Sequence, residues 1–403
     1  MKQILLTILC FTSVSLFAAT EHPLLPNVFS LSATHLAAAR ERLAAADPAL
    51  APALAQLRSE ADKLLKRKPW SVMDKARVPP SGNKHDYLSF APYYWPDPKT
   101  NDGLPYVRRD GETNPESKTG TDSAAFEHLG EAVETLGLAY YFTGFEPYAE
   151  KASQLTRTWF LDPATSMTPH LKYAQGIRGK NKGRGTGILD SRPIVDATDG
   201  VALLIGSPSW KPADQKNLLA WLDAYYQWVT ESKNGTLEAA AENNHGSWYD
   251  AQVIHFALVL GRKDEARQIA SNALSERIAT QIEPDGRQPL ELARTKSFNY
   301  CCFNLEALFQ LARASQHVDV DLWTFSTPDG RNLTAALRFM APYADPTKPW
   351  PKEDLKTDSR DRLLPLLAEA IQHSDDPAIH EAFNHFAGEH HPRDRWHLLY
   401  NLP

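Results

Sequence analysis

The sequence predicts an all-α fold: a ring of paired antiparallel helices, an α/α toroid. Three observations carry that expectation. From Leu31 onward apolar residues recur at helical spacing, while runs alternating between apolar and polar are scarce. The helical stretches come as pairs joined by short Pro- and Gly-containing links. About a dozen of them fill the chain without a fixed-period repeat, which favours a closed ring of hairpins over a solenoid.

In chain order, residues 1–19 read as a secretory signal, with a basic start at Lys2, an apolar core from Ile4 to Leu16 and a small-residue exit at Ala18-Ala19. Cys10 lies inside that core without the small residues that precede a lipidated cysteine, so no lipid anchor is expected. The expected mature chain, 20–403, is one toroid domain, exported to a periplasm or secreted. Helices are expected over 32–46, 48–66, 123–142, 147–159, 196–204, 212–231, 246–260, 263–281, 303–314, 331–341, 360–373 and 377–387. The 403 residues, 42% hydrophobic and 23% charged, exclude a disordered chain. A formal net charge of -6 argues against bulk attraction of nucleic acid, so an acidic ligand must meet a local basic patch. Cys301 and Cys302 are sequence neighbours, for which disulfide geometry is strained, and they are expected as buried thiols. No cysteine or histidine spacing suggests zinc, and neither metal nor cofactor is expected.

Two long segments break the helical pattern. Residues 78–121 hold Tyr87, Phe90, Tyr93, Tyr94 and Trp95, an aromatic content that disfavours disorder and suits a lid. Tyr87, Tyr94 and Trp95 are the candidates for stacking on flat ligand faces. Residues 168–192 are Gly-rich and carry six basic residues against one acid, Asp190. No Gly-Lys-Ser/Thr signature follows a strand there, so a groove contact for a polyanionic chain fits better than a phosphate loop, with Lys172, Tyr173 and Arg184 as candidates.

Two helix mouths complete the pattern. Asn243-Asn244-His245-Gly246-Ser247-Trp248-Tyr249 places amides, an imidazole and aromatic rings before the apolar run 253–260, and Arg294 to Tyr300 precedes the apolar run 303–311. One site assembled from both is expected. Either asparagine at the first mouth also suits an N-cap.

Taken together, these stretches resemble the alginate lyase superfamily of polysaccharide lyases. The resemblance rests on Pro169 to Gln175, Gly183 to Asp190, Asn243-Asn244-His245, Glu291 to Tyr300, and Lys118 with Asp122-Ser123-Ala124, and covers about residues 80–310. The 84–98 loop and the Arg294-to-Tyr300 spacing look more like the family thirty-eight branch than family five. The resemblance implies an α/α toroid and metal-independent β-elimination of a uronate polymer, alginate or glucuronan, with an acidic polysaccharide as partner. Lys118 resembles a lysine that assists at the family's site.

That chemistry removes the proton at C5, next to a carboxylate, and expels O4, so the site must neutralise the carboxylate and stabilise an enolate-like intermediate. Asn244 and His245, at a helix N-terminus, are expected to donate to the carboxyl group. Arg294 adds a full charge and is expected to lower the pKa of Tyr300, the candidate base. Tyr300 serves as base and acid where H5 and O4 share a face, and His245 as the second catalyst where they do not. Trp248 and Tyr249 are expected to contact substrate beside them. Two alternatives remain: a toroid glycoside hydrolase using paired carboxylates such as Asp190 and Glu242, and a non-catalytic binding protein for acidic glycans in the envelope.

Overall fold

The computed structural model describes residues 25–352, 354–355, 360–386, 391–400 and 402, so the expected signal, 1–19, lies outside the described residues. The described chain is the expected toroid. Its helices are α1 (Ala33–Ala44), α2 (Ala51–Leu65), α3 (Ser123–Thr143), α4 (Glu146–Thr156), α5 (Arg192–Ala202), α6 (Pro212–Glu231), α7 (Lys233–Ala239) and α8 (Asn244–Val259). They continue as α9 (Lys263–Ala273), α10 (Ala279–Gln281), α11 (Pro289–Leu292), α12 (Ser297–Gln316), α13 (Leu333–Met340), α14 (Leu364–Ala370), α15 (Pro377–Phe386) and α16 (Trp396–Leu399).

α3, α5, α8 and α12 lie side by side, each packed on the next, while α2, α4, α6 and α9 pack on their other faces. Sequence dictates this sorting. Nearly all of α8 is buried, because its run from Val253 to Leu258 is apolar around the whole helix apart from His255. α9 buries only Ala266, Ala270 and Ala273, one small-residue stripe against α8. α3 and α5 approach backbone to backbone, since a Cβ at Gly137 would sit 2.2 Å from the Gly200 carbonyl oxygen. His255 is fully buried, with Nε2 2.8 Å from the Thr198 hydroxyl, and Cys301 and Cys302 are buried free thiols.

The starts of three helices depart from expectation in the same direction. α5, α8 and α12 begin at Arg192, Asn244 and Ser297, where apolar periodicity suggested 196, 246 and 303. Arg192, Asn244, His245, Asn299 and Tyr300 in these first turns line the cleft and interrupt the apolar stripe, so periodicity registers two to six residues late. Tyr300 therefore stands inside the first turn of α12, not before it. The expected helix 263–281 is α9 and α10 joined by a π turn, Leu274–Ile278, and α7, α11 and α16 were too short to show a period.

The two irregular segments are one structure. Strand β1 (Leu88–Phe90) of the first pairs in parallel with β4 (Tyr173–Gly176) of the second, while β2 (Tyr94–Trp95) and β3 (Val107–Arg108) form an antiparallel pair. The register slips between Leu88↔Tyr173 and Phe90↔Gly176. At that bulge Gln175 adopts φ 48, a left-handed conformation that a side chain disfavours and that turns up where neighbours over-determine it. The Gln175 backbone N–H donates to Ser89 Oγ at 2.7 Å, and its side-chain amide donates to Asp190 at 2.8 Å.

Candidate active site

The helix mouths and the paired segments enclose a cleft of about 780 Å³, the upper range for small-molecule sites. Asn243 is the N-cap of α8, accepting from the His245 N–H, which leaves Asn244 and His245 as its first two residues. The Asn244 backbone N–H donates to Glu291 Oε1 at 2.7 Å, and its Nδ2 donates to both Glu291 oxygens at 2.9 and 2.7 Å. Glu291, in α11, is 1% exposed; burial pushes its carboxyl above the usual value, against the hydrogen bonds from Asn244. The expected free amide donor is thus already engaged, while Asn244 Oδ1 is buried without a hydrogen-bond partner among the described residues.

The His245 ring is held by a second carboxylate. Nδ1 lies 2.6 Å from Oε1 of Glu238, a residue of α7 that is 2% exposed. α7 is placed by buried Arg277, whose Nη2 and Nη1 donate to the Ala239 and Ala241 carbonyls at 2.8 and 3.1 Å while Nε donates to Asp250 at 2.7 Å. Gly246 makes room for this joint, because a Cβ there would meet the Ala241 oxygen at 2.0 Å.

At the other mouth Arg294 grips Asp110 of the 78–121 segment, donating from Nε at 3.1 Å and from Nη2 at 2.8 Å. Burial raises the Asp110 pKa, but hydrogen bonds and charge from Arg294 outweigh it and hold the carboxyl far below its usual range. The same Nη2 donates to the Tyr300 hydroxyl at 2.7 Å, which in turn donates to the Tyr93 hydroxyl at 2.9 Å. Tyr300 reverses one expectation. Burial, then Tyr93, pushes its phenol well above the usual value, and the opposing pull of Arg294 does not overcome them.

The cleft lining includes five arginines, Arg108, Arg184, Arg192, Arg294 and Arg362, and one carboxylate, Glu238. Arg108 and Arg294 pair with Asp110, and Arg362 with Glu306. Arg184 and Arg192 have no ion-pair partner among the described residues. Arg184 is held by Gln175, donating to its backbone and side-chain oxygens at 3.1 and 2.9 Å, and lies 5.4 Å from the Tyr94 ring centroid. Arg192 sits 5.1 Å from both the Trp248 and Phe303 ring centroids.

Asn244, His245, Arg294, Tyr300, Tyr94 and Arg184 therefore meet in one cleft, and seven other expected contacts do not line it. Tyr87 is fully buried, donating to Asp190 at 3.0 Å. Trp95 turns outward, its indole donating to the Glu112 carbonyl at 2.9 Å. Lys172 is exposed, 5.6 Å from the ring of Tyr173, itself a buried residue of β4. Trp248 cushions Arg192 from behind, and burial pushes the Tyr249 phenol up to about 12. Lys118 faces an adjoining hollow of about 170 Å³, which shares Pro92, Gln175, Leu189 and Arg192 with the cleft, and lies 3.8 Å from Glu127. Tyr93, Asp110, Gln175, Arg192, Glu238 and Glu291 were not foreseen as site residues. For Glu291 the available signal was a lone acid a few residues before its mouth, whereas Glu238 shared that place with the exposed Glu242. The acids nominated for hydrolysis are not paired: Asp190 is tied to Tyr87, Ser89 and Gln175, and Glu242 is exposed.

Known proteins share both the sequence pattern and the fold. The alginate lyase family model matches residues 71–350. An alginate lyase from Bacteroides ovatus is 39% identical and superposes with a TM-score of 0.89, over 94% of this chain and 100% of its own. Alginate lyase A1-III from Sphingomonas species A1 shares the fold at 17% identity, with a TM-score of 0.60 over 95% of this chain and 100% of its own. A variant of A1-III complexed with a tetrasaccharide aligns at 16% identity, with a TM-score of 0.56 over 86% of this chain and 94% of its own. No curated protein sequence matches significantly. The match over most of the chain and the 39% relative agree: this protein belongs to the alginate lyase family and is a polysaccharide lyase.

Proposed function

We propose that the protein cleaves a polyuronate, the mannuronate blocks of alginate or a glucuronan, by β-elimination that needs no metal. The observation carrying this reading is the Tyr300 hydroxyl, 2.7 Å from Arg294 Nη2, in an arginine-lined cleft beside the α8 N-terminus. A uronate carboxylate at that terminus meets the helix dipole and Arg294, which disperse the charge that builds at C5. The C5–H and C4–O bonds break, the C4–C5 double bond forms, and O4 leaves with a proton. Tyr300, which rests protonated, is placed to supply that proton. Where H5 shares the face of O4, Tyr300 first releases its resting proton to solvent, and the phenolate, its negative oxygen stabilised by Arg294, then takes H5 and delivers it to O4.

A second reading, in which His245 Nε2 takes H5 of guluronate while Tyr300 protonates O4, is favoured by the contact between His245 Nδ1 and Glu238. The 78–121 segment, gripping Arg294 and Tyr300 through Asp110 and Tyr93, serves as the lid, and residues 1–19 direct export. The deciding experiment incubates purified protein with polymannuronate, polyguluronate, glucuronan and hyaluronan, with and without chelator, while following the ultraviolet absorbance of unsaturated uronate ends. A chelator-resistant rise on a polyuronate is expected. Reducing ends that appear without absorbance would overturn elimination in favour of hydrolysis, and loss of the rise with chelator would overturn the metal-free mechanism.

A further inference from the structure

We infer that Glu238 is a positioning residue that fixes the proton of His245 on Nδ1 and so presents Nε2 to the cleft as a proton acceptor. The inference deepens the proposed function and rests on it for its kinetic consequence. Its basis is geometric. Glu238 Oε1 lies 2.6 Å from His245 Nδ1, and an ionised carboxylate only accepts, so the ring nitrogen facing it carries hydrogen. In a neutral imidazole the other nitrogen, Nε2, then holds the lone pair. When Nε2 gains a proton, the imidazolium stands against a buried carboxylate that stabilises it, as in nucleophile–histidine–acid triads.

Glu238 cannot drift from this duty. Its side chain is 2% exposed, and Arg277 clamps the end of α7 one residue beyond it. Gly185 lets the basic segment close over α7, since a Cβ there would meet the Leu237 Cβ at 2.9 Å. The charged groups around the pair are Glu291 of α11, Arg294 after it, and Arg184 from the basic segment. Glu238 is the only one of these carboxylates bonded to the ring, and Glu291 is occupied by Asn244. A carboxylate that served packing alone would have no need of the one ring nitrogen that sets the state of the other.

Two readouts on the full protein test this. In the first, nitrogen-15 NMR of the His245 ring in the free protein should show Nδ1 protonated, with a far-downfield proton that disappears in Glu238→Gln. A ring protonated on Nε2 alone overturns the inference whatever the substrate. In the second, Glu238→Gln, nearly isosteric and free to turn its own amide hydrogen toward Nδ1, should lower kcat on a cleaved polymer by roughly 10²-fold with KM changed less than about threefold. Glu238→Asp, which keeps the charge at a longer reach, should recover part of the loss. A kcat within about twofold of wild type in Glu238→Gln overturns the inference, as does an equal loss in both variants accompanied by a raised KM. If the wild type makes no ultraviolet-absorbing product on any polyuronate, the proposed function fails while the NMR arm still decides the role of Glu238.

Discussion

The floor of the cleft and its wall are built on different principles. The floor is two helix mouths, where Asn244, His245 and Tyr300 sit in first turns and Arg294 stands just before α12. Carboxylates hold three of the four from behind: Glu291 on Asn244, Glu238 on His245 and Asp110 on Arg294. Helix geometry and charge-assisted bonds leave these groups little freedom, which suits groups that act on the reacting atoms. The wall is irregular backbone. Two of its cleft residues, Tyr94 and Arg184, are placed by a two-residue strand, by hydrogen bonds to the bulge residue Gln175 and by ring contacts. The floor should therefore govern kcat and the wall KM.

The comparison breaks most readily at Tyr300. Tyr300→Phe removes the hydroxyl between Arg294 and Tyr93 but keeps the ring, so kcat should fall by roughly 10³-fold while polymer affinity holds. Single-turnover kinetics with a binding titration would check it, and full turnover would strike Tyr300 from the chemistry. Asn244→Ala comes next. It leaves the buried, raised-pKa Glu291 without its side-chain partner, and kcat should drop by about 10²-fold. On the wall, Arg184→Ala should raise KM roughly tenfold with kcat little changed, about 1.4 kcal/mol of binding. A large kcat loss in Arg184→Ala would erase the division between floor and wall.

Asp110 joins the two regions, and its electrostatics set a pH window. Its folded pKa lies below the unfolded value of about 3.9, so its stabilising contribution is fully present above that value and is lost as pH falls through the lower folded one. Hydrogen exchange of residues 93–112 should stay flat, after correction for intrinsic rates, from neutral pH to about 4 and accelerate below it. Corrected exchange that rises between pH 7 and 5 would mean another group latches the wall.

How far the sequence disclosed this site follows the same division. Helix periodicity placed α3 and α8 within two residues and started α12 six residues late, and polar residues at two helix mouths marked Asn244, His245, Arg294 and Tyr300, because a first turn facing a cleft advertises itself against an apolar run. Direction in the wall is set by partners far along the chain. Tyr87 turns inward because Asp190, 103 positions away, accepts its hydroxyl, and Trp95 turns outward to the Glu112 carbonyl. No local pattern distinguishes these from Tyr94. The supporting carboxylates were hidden for the same reason: Glu291 reaches Asn244 across 47 positions and Asp110 reaches Arg294 across 184.

The smallest expected effect tests the wall's outer limit. Lys172 belongs to the basic segment and by composition is as fit a polyanion contact as Arg184. Yet it is exposed beside Tyr173 and stands outside the cleft lining. The field of a solvated surface ammonium outside the cleft is screened over about 8 Å at physiological salt and contributes little to a ligand held inside it. Lys172→Ala should therefore leave KM within about twofold on short oligosaccharides that fit the cleft. The same assay on long polymer decides whether the chain continues past Tyr94 and over the outside of β4. A KM raised only on long polymer, and relieved by added salt, would extend the binding surface beyond the cleft; an unchanged KM on both confines recognition to the arginines within it.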